Sequence, residues 1–166
     1  MKQLALRIVT ASALVLGVAL SGEASAQVSK DQLVGAWTLV SAAYNQDGKK
    51  RDIFGPNPSG LMILDASGRF AQILMRPELP KFASNNRENG TPEENKAVVQ
   101  GSVAYFGTYT VSDGGVSVHI ENATFPNWRG ADQKRSVSLS GDELKWANAT
   151  TTVGSGGAEL VWKRVK

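Results

Sequence analysis

Past residue 26 the chain runs as short stretches in which apolar and polar residues alternate, each closed by a turn signal. A period of two marks a strand with one buried face, and no segment keeps the 3.6-residue period of a long core helix. The first stretch, 33–44, sets Trp37, Leu39, Ser41 and Ala43 on one face and Val40, Ala42 and Tyr44 on the other; Asp47-Gly48 then turns the chain. Residues 60–64 and 69–75 flank Asp65-Ala66-Ser67-Gly68. That is a strong hairpin loop, because Asp bonds its own backbone and Gly accepts the positive φ such loops need. Residues 106–112 and 116–123 flank Asp113-Gly114-Gly115, residues 134–139 and 143–147 flank Ser140-Gly141-Asp142, and 158–165 follows Gly154-Ser155-Gly156-Gly157. The pattern predicts an all-β fold, an eight-stranded antiparallel up-and-down barrel. Closure removes the exposed edges of such a meander, and eight strands leave room for one small ligand.

Residues 76–105 break this rhythm. The segment is polar and holds Pro77, Pro80 and Pro92. Thr91-Pro92-Glu93-Glu94 predicts a helix start, with a capping hydroxyl, a proline in the first turn and acids at the positive end of the helix dipole. One short helical insertion is expected here, either a lid over a ligand or a surface excursion without a role.

The first 26 residues read differently again. Lys2 and Arg7 precede an uncharged apolar run from Ile8 to Leu20, and Ala24-Ser25-Ala26 supplies small residues before Gln27. This is the layout of a secretory signal peptide, with cleavage expected between Ala26 and Gln27 and a periplasmic or secreted product. The apolar run, at about 1.5 Å per residue, is too short for a bilayer core of roughly 30 Å, so no stable membrane anchor is expected after cleavage. Residues 27–166 then form one domain, the usual size for 100–200 residues.

Composition narrows the chemistry. The chain has no cysteine, which removes disulfides, zinc–thiolate sites and cysteine nucleophiles. Net charge is +3, and losing Lys2, Arg7 and Glu23 with the leader lowers it to +2. With no basic block beyond Lys49-Lys50-Arg51, nucleic acid is not an expected partner. His119 is the single histidine, a poor basis for a metal site, so neither metal nor cofactor is expected. No Gly-x-Ser-x-Gly nucleophile elbow or HExxH zinc motif is present.

Gly35-Ala36-Trp37 and Trp162-Lys163-Arg164 resemble the calycin arrangement, in which a tryptophan of the first strand packs under an arginine from the last. Further stretches match in order: Leu33–Ser41, Pro58–Leu64, Ala66–Phe70, Ala104–Val111, Val118-His119, Pro126–Gly130, Arg135 and Leu160–Arg164. On these the chain is similar to the bacterial and fungal lipocalin-like domain family. The resemblance implies a lipocalin-like barrel with an interior cavity, one end closed by Gly35, Trp37 and Arg164. It carries fold with more authority than function.

A few residues carry candidate chemistry. His119 shares a strand face with Ser117 and Glu121; if that face lines the lumen, His119 offers a polar contact to a ligand and Glu121 orients it. A structural or exposed histidine is the competing reading. Arg135 shares a face with Val137 and Leu139, so it either holds a ligand carboxylate or pairs internally with Glu121 or another acid. Tyr109 adds a hydroxyl to the same cavity, and Trp128 either rims its mouth or covers the core. The leading expectation is an exported barrel that binds a small hydrophobic or amphipathic molecule. The alternatives are an enzyme of isomerase or cyclase type using His119 as its acid–base residue, and a non-catalytic structural or interaction module whose lumen is filled.

Overall fold

In the computed structural model, which describes residues 27–112, 115–153 and 156–166, the eight alternating stretches and residues 49–52 form nine strands of one sheet. They are β1 (Gly35–Gln46), β2 (Lys49–Asp52), β3 (Ser59–Leu64), β4 (Arg69–Met75), β5 (Ser102–Ser112), β6 (Gly115–Ala123), β7 (Asp132–Ser140), β8 (Glu143–Asn148) and β9 (Ala158–Arg164). Each pairs antiparallel with its neighbour in the order β2-β1-β3-β4-β5-β6-β7-β8-β9, and β1 also pairs with β9. Eight strands therefore close into a barrel, with β2 as an additional short strand. The expected leader, and parts of the expected turns at 113–115 and 154–157, lie outside the described residues.

β1 serves three neighbours because it is long. Its first residues pair with β3, Trp37 to Tyr44 pair with β9, and Ala43 to Gln46 pair with β2 beyond the reach of β3. The register with β9 shifts between Leu39 and Ser41. One extra residue in a strand moves the following side chains to the opposite face. Trp37 and Leu39 point into the core before this bulge, whereas Ala42 and Tyr44 line the interior after it. The expected grouping of Trp37, Leu39, Ser41 and Ala43 on one face thus ends at the bulge.

The Asp65–Gly68 loop closes as its residues dictate. Gly68 takes φ +92° and donates to the Asp65 carbonyl at 3.0 Å, while the Asp65 carboxylate accepts from Ser67 N–H at 2.5 Å. The insertion also carries the helix predicted for it, α2 (Pro92–Gly101), following a one-turn α1 (Lys30–Leu33). Thr91 and Glu94 form a reciprocal capping box at its start. At its end the chain passes directly into β5, which therefore begins at Ser102, ahead of the expected residue 106.

One end of the barrel is plugged by side chains. Trp37 is fully buried and its Nε1 donates to the Leu33 carbonyl at 2.9 Å. The Arg164 guanidinium lies 4.1 Å from the Trp37 ring centroid. It donates through Nη1 to the Val34 carbonyl at 3.0 Å and through Nη2 to that of Gln32. Gly35 has φ +136°, and a Cβ there would stand 3.1 Å from Arg164 Nη1. Met62, Leu144 and Trp162 fill the lumen above this plug with no exposed surface.

Candidate ligand cavity

The other half of the lumen is not filled. A cavity of about 960 Å³ opens there, walled by aromatic and aliphatic side chains that include Phe54, Leu74, Val103, Tyr105, Trp128 and Leu160. Val98 and Val99 of α2 stand at its edge, as does Arg76 at the start of the insertion. The 149–153 segment completes the rim. The insertion therefore packs at the mouth rather than on a remote surface.

Among the described residues, Arg135 is the charged group buried in the interior. It comes from β7, which alternates Gln133, Arg135, Val137 and Leu139 on the inward side, and the residue is only 4% exposed. Its Nη1 donates to the Lys134 carbonyl at 3.1 Å and its Nη2 to Gln133 Oε1. Its Nε finds no hydrogen-bond partner among the described residues. No carboxylate among the described residues pairs with it. The internal ion pair expected with Glu121 is absent because Glu121 is engaged outside the barrel, where it accepts from Arg69 at 2.5 and 3.0 Å.

Tyr105 links Arg135 to the core. Its hydroxyl donates to Gln72 Oε1, and Gln72 Nε2 in turn reaches Met62 Sδ at 2.8 Å. Burial pushes the Tyr105 hydroxyl above its ordinary range, opposed by the Arg135 charge, so it remains a neutral donor. Burial lowers Arg135 from its high ordinary value, opposed by Tyr105; an arginine still stays charged at neutral pH. The Tyr105 ring packs edge-on against Phe70 at 5.8 Å and against Trp128 at 5.1 Å, and Trp128 meets Phe125 in the same manner. A run of buried polar groups, Gln72, Tyr105 and Arg135, thus crosses an apolar interior and ends on the cavity wall.

The remaining residues singled out in the sequence are scattered. On β6 the inward face is Val116, Val118 and Ile120, which are buried. Ser117, His119 and Glu121 consequently face outward, and His119 does not line the cavity. Its Nδ1 contacts the Asp132 carboxylate at 2.8 Å, directly opposite on β7. The physical reason is the ordinary one: the apolar face of a half-buried strand turns inward. Tyr109 is buried, but toward the plugged end, where its hydroxyl donates to the Asp65 carbonyl at 2.8 Å and Lys30 Nζ lies 5.6 Å from its ring. Of the five residues expected to meet a ligand, Arg135 and Trp128 stand on the cavity wall; His119, Glu121 and Tyr109 do not.

Sequence reasoning passed over Tyr105, Gln72, Trp146 and Asn148. The last two line the cavity, and Trp146 Nε1 and Asn148 Oδ1 are buried with no partner among the described residues. Gln72 carried a readable signal, since it sits between Phe70 and Leu74 on the inward face of β4. Tyr105 was hidden by its position at the junction of insertion and strand.

A closed eight-stranded barrel around one deep cavity defines a lipocalin-like protein. The chain belongs to the lipocalin-like domain family, whose pattern matches residues 34–165. It is similar to the 4'-hydroxy-3'-methoxypropiophenone carrier protein of Aspergillus oryzae (strain ATCC 42149 / RIB 40), at 30% identity over 103 residues, covering 55% of this chain and 93% of that protein.

Proposed function

We propose that this protein is an exported carrier that holds a small, partly apolar molecule in the barrel cavity. The observation that carries the reading is the cavity itself, about 960 Å³, with an aromatic and aliphatic wall, a largely exposed polar rim, and Arg135 buried among the lining residues. The carrier activity named for the Aspergillus relative supports it, and points to substituted phenyl ketones as first ligands to try. Trp128 and Trp146 stand on the wall, so bound ligand reports on itself through tryptophan fluorescence. Titration with 4'-hydroxy-3'-methoxypropiophenone is expected to quench this fluorescence saturably. Val103→Trp, which grows a ring into the cavity, is expected to weaken binding at least tenfold. Binding indifferent to Val103→Trp would overturn the reading, and no saturable change would remove substituted phenyl ketones from its ligands. Export is supported by the layout of residues 1–26 and predicts an intact mass that begins at Gln27 for protein recovered from the native cell envelope or medium. A chain retaining Met1 there would refute it.

The enzyme reading built on His119 loses its support, because that side chain stands outside the cavity. The filled-lumen reading fits only the plugged half of the barrel.

A further inference from the structure

We propose that the ligand is a carboxylate: an apolar, ring-sized molecule whose anionic oxygens seat against Arg135. This rests on the carrier reading and names its ligand class. Arg135 is 96% buried, lines the cavity, and carries a fixed positive charge with only neutral groups beside it, the Lys134 carbonyl, Gln133 and the Tyr105 hydroxyl. A buried cation is costly unless an opposite charge meets it, and a guanidinium is shaped to meet a carboxylate through two parallel N–H donors. One of those donors, Nε, is without a partner among the described residues. A second donor on the same wall, Trp146 Nε1, is in the same condition. β7 and β8 hold the two near each other: Ser136 pairs with Ala147 and Val137 with Trp146, which puts Arg135 and Trp146 on adjacent strands two residues out of step.

The other charges that border the cavity do not cancel this one. Asp52 and Asp132 stand at its exposed edge, and neither comes within ion-pairing distance of Arg135. Asp132 is already occupied by His119 at 2.8 Å. Arg76 and Lys134 at the same edge add positive potential on the path inward. The apolar part of the ligand then has Leu74, Val103 and Trp128 to pack against.

The test compares two molecules that share a ring and differ in charge, 4-hydroxy-3-methoxycinnamate and its methyl ester, by calorimetry at pH 7 on the wild type and Arg135→Met. The acid is expected to bind at least tenfold more tightly than the ester. Arg135→Met is expected to abolish the preference, bringing the acid down to the level of the ester in the same variant. Equal binding of acid and ester, or tighter binding of the ester, would overturn the proposal and leave the carrier reading standing. A preference for acid that survives Arg135→Met would overturn it too, because the charge would lie elsewhere. Failure of acid, ester and 4'-hydroxy-3'-methoxypropiophenone alike would remove the carrier reading and this proposal with it. Should Arg135→Met not fold, the Arg135 Nε–H resonance of the wild type decides the question. A shift with the acid and none with the ester supports the proposal; no shift with the acid refutes it.

Discussion

Replacing Arg164 by leucine tests whether the plugged end depends on the guanidinium or only on bulk. Three contacts are lost: the stacking on Trp37 at 4.1 Å, the bond to the Val34 carbonyl at 3.0 Å and the bond to the Gln32 carbonyl. Hydrogen bonds from a charged donor contribute about 1.5–3 kcal/mol each, and half-exposure brings these two nearer to about 1 kcal/mol apiece. The cation–ring contact adds about 1 kcal/mol, its ring being fully buried and its cation only partly so. The total is about 3 kcal/mol, which for a domain of this size lowers the melting temperature by about 10 °C. Thermal unfolding followed by circular dichroism reads the change directly. Arg164→Lys keeps the charge but not the planar fork, so it is expected to recover only about 1 kcal/mol. A leucine variant melting within about 2 °C of wild type, or a lysine variant as stable as arginine, would show that packing of Trp37 alone seals this end.

Two further expectations concern residues away from the cavity. Tyr109→Phe removes the hydroxyl that donates to Asp65 and is expected to cost about 1 kcal/mol in urea unfolding while leaving ligand affinity unchanged; a loss of affinity would place Tyr109 in the site after all. Glu94 is held below its ordinary value of 4.5 by accepting from the Ala83 and Thr91 amides. A carboxylate with a depressed folded value stabilises above its unfolded value and loses that contribution as pH falls through the folded one. The Ala83 and Thr91 amide resonances are therefore expected to move together at a pH below 4.5, and to stay flat in Glu94→Gln. A midpoint at or above 4.5 would contradict the capping geometry.

What the sequence made legible follows from how local each cause is. The Asp65–Gly68 hairpin and the Thr91–Glu94 helix start are settled by residues within four positions of one another, and both stand where the pattern put them. β2 was not legible: Lys49-Lys50-Arg51-Asp52 has no apolar residue to alternate, and it is a strand only because the far end of β1 offers an edge. The bulge in β1 is equally non-local, since it exists in the pairing with β9. For the site, Arg135 was readable as a charge on the apolar face of β7. His119 was misplaced although the rule that places it was available. Val116, Val118 and Ile120 form the more apolar face of β6, and that face turned inward. Trp146 and Asn148 gave no such signal, because an inward tryptophan reads as core until a cavity is seen beside it.

The pairing of β1 with β9 also bears on how the chain folds. Trp37 is opposite Arg164, so the contact that shuts the barrel joins its first strand to its last. Contacts of such long sequence separation slow folding, because the intervening chain must be ordered before they form. Until β9 is in place the barrel holds seven strands and two open edges, on β1 and β8. Unpaired edges of that kind template aggregation. For a chain delivered from its N-terminus, the vulnerable interval lasts until Ala158–Arg164 arrives, and truncations inside that strand should be more damaging than the few residues removed would suggest.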